Sequence, residues 1–343
     1  VSHFRLLVGD ALEQLRKLAD ESVQTCVTSP PYWGLRDYGV EGQIGLEATP
    51  AEFLGRLVEV FREVRRVLKP EGTAWVNMGD TYASAGLGGG VGTRSTVNGQ
   101  QSHKAARSHH QVARRQAPAR HAARSKLKNR VVAGLKPKDL VGAPWRLAFA
   151  LQDDGWWLRQ DIIWAKPNPM PESVTDRCTK SHEYVFLLAK AVRYFYDADA
   201  IRTPLAAKTF TAFGTTRRSK GNDALGKVAA DNWSGLVRLP RVDESGAPVG
   251  ANARSVWTIA TTPTPLEHFA AFPEELARRC IVAGSQVGDT VLDPFAGTGT
   301  TGIVALREGR RFVGCELNPA YAEMAEQRSR EVTPSLFLAG GAA

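Results

Sequence analysis

Residues 293–302 read DPFAGTGTTG, in which Gly297, Gly299 and Gly302 keep a G-x-G-x-x-G spacing. The run follows an apolar pair, Val291-Leu292, and leads into a helical pattern from Thr300 to Glu308. A second pair, Phe312-Val313, is closed by an acid, Glu316. Strand, glycine turn, helix, strand and acid in that order describe a nucleoside site. Glycine lets backbone approach the ligand, and the carboxylate can accept both ribose hydroxyls. Two features separate the pattern from an NAD-type domain. Asp293 and Pro294 crowd the turn, and only 41 residues follow Gly302, room for one more strand and helix. The missing strands of the sheet must come from the N-terminal part, so the motif order is circularly permuted.

The N-terminal part offers such strands. Phe4 to Val8 reads as a strand ending in Gly9-Asp10, and Leu12, Leu15 and Leu18 follow at helical spacing. Val23 to Thr28 is the second strand. Thr49-Pro-Ala-Glu52 has the form of a capping box with proline at the first helical position. Phe53, Leu57, Phe61, Val64 and Leu68 share one face, and Pro70 with Gly72 is expected to stop that helix. Thr73 to Asn77 is the next strand. Regular order returns in PWRLAFALQDDGWWLRQDIIWAKPNP, residues 144–169, with strands expected at Ile162 to Trp164 and Tyr184 to Leu188. One helix is expected from Pro273 and a last one from Asn318-Pro319.

Charge is unevenly placed. The net charge is +9, yet residues 81–138 hold twelve Lys or Arg, four His and no acid, which leaves the rest net negative by three. Concentrated positive charge points to a polyanion partner, nucleic acid first. The arm's His103, His109, His110 and His121 fit no metal-ligand spacing, and His182 and His268 read as structural hydrogen-bonders. The four cysteines, Cys26, Cys178, Cys280 and Cys315, are far apart and support neither a disulfide framework nor a zinc site. No apolar run approaches a membrane span, and no signal pattern opens the chain, so a soluble intracellular protein is expected.

Near the N-terminus stands TSPPYWGL, residues 28–35, where a strand runs into two prolines and two aromatic rings. TSPPYW combined with DPFAGTGTTG resembles the amino-methyltransferases of DNA in their permuted, beta-class arrangement. Gly9-Asp10, GTAWVNMGD, HFAAFPEEL and GCELNP follow in that class's order, and DIIWAKPNPMPESVTDRCTKSHEYVFLLAK resembles a block typical of these enzymes. The resemblance implies an α/β, Rossmann-like fold dependent on S-adenosyl-L-methionine, with helices on both faces of a mostly parallel sheet.

It also implies roles. Asp293, Phe295, Gly297 and Gly299 would line the cofactor site, with Glu316 on the ribose, Asp10 near the adenine, and Phe272 and Pro273 at the methionine end. Ser29, Pro30, Pro31 and Tyr32 match the catalytic loop. The Ser29 hydroxyl and Pro30 carbonyl would each accept an N–H of an exocyclic amine, and Tyr32 would stack on a flipped base. Trp33, Arg177, Lys180, Arg217 and Arg218 are candidates for nucleic-acid contact, with packing beneath the loop as the other reading of Trp33. Serine at the first position of the loop goes more often with cytosine N4, so that base is expected, with adenine N6 as the alternative. An RNA or protein-glutamine methyltransferase and an inactive DNA-binding homologue are further alternatives. A carbon-5 enzyme needs a cysteine after proline, and none is present.

The expected organisation places the first part of the catalytic domain at 1–82, a basic arm at 83–136 and a continuation at 137–200. A target-recognition insertion at 201–260 and the cofactor-binding part at 261–343 complete it. The partner implied is double-stranded DNA, with no membrane, and with room for a homodimer and a cognate restriction endonuclease. The location implied is the cytoplasm of a prokaryote, or of a phage host, at the nucleoid.

Overall fold

The computed structural model describes residues 3–34, 39–83, 135–204, 250–261 and 272–339, with side chains in the last helix to residue 332. The strands are β1 (Phe4–Val8), β2 (Val23–Thr28), β3 (Leu68–Met78), β4 (Trp157–Ala165), β5 (His182–Ala189), β6 (Val256–Thr258), β7 (Thr290–Asp293) and β8 (Arg311–Glu316). The helices are α1 (Ala11–Leu15), α2 (Pro50–Val67), α3 (Ala143–Asp153), α4 (Glu274–Gly284), α5 (Thr300–Arg307) and α6 (Pro319–Ala339). The arm at 84–134, most of the 201–260 segment with Arg217 and Arg218, and His268 lie outside the described residues.

The strands form one sheet in the order β1-β8-β7-β2-β3-β5-β4-β6. Neighbours are parallel except around β5, which runs against both β3 and β4. The permuted order is realised directly, because β7 and β2 pair side by side although they come from opposite ends of the chain. From β2 the chain steps outward through α2 to β3, and from β7 it steps the other way through α5 to β8. The sheet's switch point therefore lies between β2 and β7, where crevices open beyond the strand ends.

Both faces of the sheet are covered, as the buried run of β2 requires. Successive side chains point to opposite faces. Cys26 packs with Phe53, Phe61 and Leu147 of α2 and α3, while Val27 packs with Leu276 and Ile281 of α4. Helix α2 forms where its sequence says: the Thr49–Glu52 capping box is complete, and Phe53, Leu57, Val60, Phe61, Val64 and Val67 are buried as one stripe. Its end differs from expectation. The helix stops at Val67, and Pro70 and Gly72 lie inside β3, opposite a register shift in β2 between Val23 and Thr25. The break in the ladder there accommodates a proline.

Helix α3 lacks a side-chain cap of its own and starts at a left-handed Gly142. Asp80 supplies one from the end of β3, accepting from the Gly142 and Ala143 amides, both at 3.1 Å. Residues 81–83 and 138–141 bond to each other beside it, which brings the two ends of the arm together.

Two close approaches hold the C-terminal elements. A Cβ at Gly302 would meet the rings of Phe4 and Phe312 at 2.5 and 2.6 Å, so this glycine lets α5 settle on β1 and β8. Asp293, 2% exposed, accepts from Thr28 Oγ1 at 2.6 Å, Thr301 Oγ1 at 2.7 Å and the Phe295 amide at 3.0 Å. The carboxylate thus ties β2 to β7 and α5. Burial raises its pKa to about 6, against the three donors, which lower it.

Gly302→Ala is expected to cost about 1–3 kcal/mol of stability through overpacking, read as a lower urea midpoint at unchanged slope. A second expectation concerns Asp293. The fold binds its proton more tightly than the unfolded chain, so its contribution is complete at low pH and lost as pH rises from the unfolded value through about 6. Asp293→Asn removes that titration. Between about pH 4 and pH 7 the stability difference should move in the variant's favour by up to roughly 3 kcal/mol, measured by urea unfolding of both chains.

Candidate active site

The ends of the parallel strands gather at one edge of the sheet, and a cleft opens there at the β2–β7 switch point. Its empty volume, open mouth included, is about 1240 Å³. Asp10, Ser29, Pro30, Pro31, Tyr32, Phe272, Asp293, Phe295, Gly297 and Glu316 all line it. Residues 29–32 and 293–297, remote in sequence, therefore line one cleft. Two expected positions stand just behind. Pro273 opens α4 as its N-cap residue. Gly299, at φ 80°, caps α5, and a Cβ there would press on Ala325 at 2.8 Å.

The carboxylates divide their work. Both oxygens of Asp293 are taken by the bonds described above, so it shapes the cleft more than it offers an acceptor to it. Glu316 is held by the Gly297 amide on one oxygen and the Asn318 amide on the other, each at 2.8 Å. Each oxygen keeps lone-pair capacity for a hydroxyl donor. Burial raises the Glu316 pKa, with the two amides pulling it back. Asp10 caps α1, accepting from the Glu13 amide at 3.1 Å.

The loop after β2 presents Ser29 and Tyr32 to the same cleft. Tyr32 is anchored by its hydroxyl, which donates to Glu183 at 2.8 Å, and its ring edge rests on Gly79, where a Cβ would come within 2.8 Å. Glu183 also accepts from Asn77 Nδ2 at 3.2 Å and is ion-paired with Lys166. Among the described residues no donor reaches the Pro30 carbonyl oxygen, which leaves it free as an acceptor. Cys315 lines the cleft, but burial pushes its thiol to about 12, and no thiolate is available at neutral pH.

Several of these residues were not legible as functional. Thr28 and Thr301 stand inside TSPPYW and DPFAGTGTTG, but nothing in those motifs assigned them a role. Asn77, Lys166 and Glu183 sit inside the family-like blocks GTAWVNMGD and DIIWAKPNP…SHEYVFLLAK, which was the only signal for them.

Of the two readings of Trp33, packing beneath the loop is the one the burial fits: it is a core residue at 4% exposure, and its Nε1 donates to the Glu47 carbonyl at 3.1 Å. It supports the loop from beneath, because a strand leaving the core must cover its own exit. Arg177 stacks over Tyr82 at 4.1 Å and pairs with Glu172 at 2.6 Å, so its guanidinium braces the loop before β5. Burial lowers the Lys180 pKa, and among the described residues no acceptor bonds its ammonium. His182 packs edge-on against Tyr184. Among the described residues no cluster of His, Cys, Asp and Glu could hold a metal ion, and no helix is long and apolar enough to cross a membrane.

A family profile described as DNA methylase, for N6 and N4 enzymes, matches residues 23–327. The Type II methyltransferase M.Cfr9I of Citrobacter freundii is 44% identical over 323 residues, covering 94% of this chain and 86% of the relative. M.SmaI of Serratia marcescens is 44% identical over 324 residues, covering 94% and 90%. A DNA modification methylase of Thermus thermophilus, TTHA0409, solved in complex with S-adenosyl-L-methionine, aligns at TM-score 0.53 and 25% identity over 96% of this chain and 94% of that one. The cytosine-N4-specific PvuII DNA methyltransferase shares the fold at TM-score 0.57 and 18% identity, over 97% and 91%. The profile match takes in both the β2 exit loop and the glycine turn that meet in the cleft, and the chain belongs to the N6/N4 DNA methylase family.

Proposed function

We propose that this protein is the methyltransferase of a Type II restriction–modification system and that it methylates the N4 amine of cytosine in double-stranded DNA, with S-adenosyl-L-methionine as donor. The observation that carries the reading is the shared cleft, lined both by Ser29-Pro30-Pro31-Tyr32 and by Phe295, Gly297 and Glu316. The relatives' names support the Type II assignment. Serine at the first position of the loop supports cytosine; adenine N6 is the second reading, since the same acceptors could hold either amine.

The residues present fit the donor. Glu316 has spare acceptor capacity for two ribose hydroxyls, and a Cβ at Gly297 would find open space, which leaves backbone accessible to a ligand. Asp10 and Phe272 close the ends of the cleft. The bound donor supplies an electrophilic methyl carbon on a sulfonium sulfur, and the Phe295 and Tyr32 rings offer π-faces to that cation.

An exocyclic amine is a poor nucleophile because its lone pair is delocalised into the ring. Ser29 Oγ and the Pro30 carbonyl each accept one of its N–H bonds, which draws the nitrogen towards tetrahedral geometry and aims the lone pair at the methyl carbon. Pro31, with no N–H and a fixed φ, stiffens the backbone that carries the Pro30 carbonyl. The C–N bond forms as the C–S bond breaks, a neutral thioether leaves, and the surplus amine proton passes to water. Rate comes from alignment and preorganised acceptors, with no covalent enzyme intermediate. The high pKa of Cys315 is in keeping with that route. Tyr32 stacks on the flipped base. Lys180 serves a phosphate, and the basic arm at 83–136 and the insertion at 201–260 serve DNA binding and target recognition, on charge alone.

Mass spectrometry of nucleosides from methylated duplex DNA is expected to show N4-methylcytosine; N6-methyladenine in its place would move the assignment to the second reading. Ser29→Ala should lower turnover by on the order of a hundredfold while donor binding stays near native. Glu316→Ala should raise the donor dissociation constant by roughly ten- to a hundredfold, read by calorimetry. Equal loss of donor binding in both variants would refute this division of roles.

A further inference from the structure

The charged cluster behind Tyr32 has no part in the chemistry described so far. The Glu183 and Lys166 side chains are 16% and 18% exposed and form an ion pair at the sheet edge, with Lys166 also 4.2 Å over the Trp164 ring. A largely buried pair adds little stability over apolar packing, so its position against the catalytic loop calls for another reason. Hydrogen-bond direction supplies one.

An ionised carboxylate only accepts. Glu183 takes Lys166 on one oxygen, and Tyr32 and Asn77 on the other. Tyr32 must therefore donate to it. Burial and the nearby Glu183 charge push the phenol well above its usual pKa, so that proton stays in place. The second acceptor near Tyr32 has a fixed direction too. Asn77 donates its amide nitrogen to Glu183 and to the Tyr184 carbonyl at 3.1 Å, which leaves Oδ1 facing the phenol at 3.5 Å.

A phenol has one proton. With it committed to Glu183, the Tyr32 oxygen faces Ser29 as an acceptor, and Ser29 Oγ stands 3.5 Å away as the donor. That contact is long, as catalytic hydrogen bonds commonly are before substrate binds. Ser29 has one proton as well. Directed at Tyr32, it leaves only lone pairs towards the cleft, which is what an amine N–H requires.

We propose that Glu183, anchored by Lys166, is a positioning residue that sets the polarity of the Glu183–Tyr32–Ser29 chain and so holds Ser29 as an acceptor for the substrate amine. The inference rests on the methyl-transfer reading above. In Glu183→Gln, Lys166 claims the carbonyl oxygen and turns the amide NH₂ to Tyr32. The phenol then accepts from that amide, and its own proton turns to Ser29 or to Asn77 Oδ1. In each molecule in which Ser29 accepts it, the serine proton is aimed at the cleft.

The test is single-turnover methyl transfer to duplex DNA at saturating S-adenosyl-L-methionine, with donor affinity measured in parallel to verify folding. Glu183→Gln is expected to slow transfer by roughly tenfold or more with donor affinity near native. Glu183→Asp, which keeps an acceptor-only group, should recover part of the loss. Tyr32→Phe cuts the chain, so adding Glu183→Gln to it should cause no further slowing. The same additional loss in the Tyr32→Phe background as in the native one would overturn the proposal, because Glu183 would then act without Tyr32. A native chain that methylates no base would instead overturn the methyl-transfer reading itself.

Discussion

Three donors converge on one buried carboxylate. Asp293 accepts from Thr28, from Thr301 and from the Phe295 amide, and everything at the cleft is referenced to it. Thr28 is the last residue of β2 and hands the chain to Ser29. Phe295 and Thr301 belong to the glycine turn and to α5. A few hydrogen bonds thus hold the Ser29–Tyr32 loop and the glycine turn in one frame, although 265 residues separate Thr28 from Asp293. The arrangement is costly, since burial raises the carboxyl to about 6. Near neutral pH the group is held ionised against its desolvation, and the compensation is geometric precision where chemistry needs it.

The sheet explains why so small a bond can serve. Because β2 and β7 are parallel neighbours, their C-terminal ends emerge at the same edge a strand spacing apart, and each loop needs only a short excursion to reach the other. The packing of α5 on β1 and β8 through Gly302 fixes the turn from behind. Trp33 under the loop and the Glu316–Gly297 bond across the cleft do the same for the other walls. Rigidity comes from the elements, and reactivity from the few acceptors left unfilled at their ends.

Charge follows the same division. Most ion pairs on the described surface brace loops, as Arg177 does with Glu172 and Tyr82. Glu183 and Lys166 are placed differently: they are partly buried beside Tyr32, and the role proposed for them lies in direction more than in energy. A carboxylate that can only accept imposes an order on every hydroxyl chained to it.

Much of this was legible in one dimension. The capping box at Thr49 and Glu52, the apolar stripe of α2 and the strands around the glycine turn all arise from contacts within a few residues. The permuted order is legible in TSPPYW standing ahead of DPFAGTGTTG along the chain. Local steric preferences and hydrophobic periodicity carry such features in the sequence itself. The strand through Pro70, the Asp80 cap on α3 and the partners of Tyr32 were not legible. Each depends on a neighbour brought in by the sheet from a distant part of the chain, and a hydrogen bond or a packed ring has no sequence period. Residue types alone named the groups able to hold an amine and a nucleoside; tertiary structure decided which oxygens remain free to do it, because that depends on who else is donating to them.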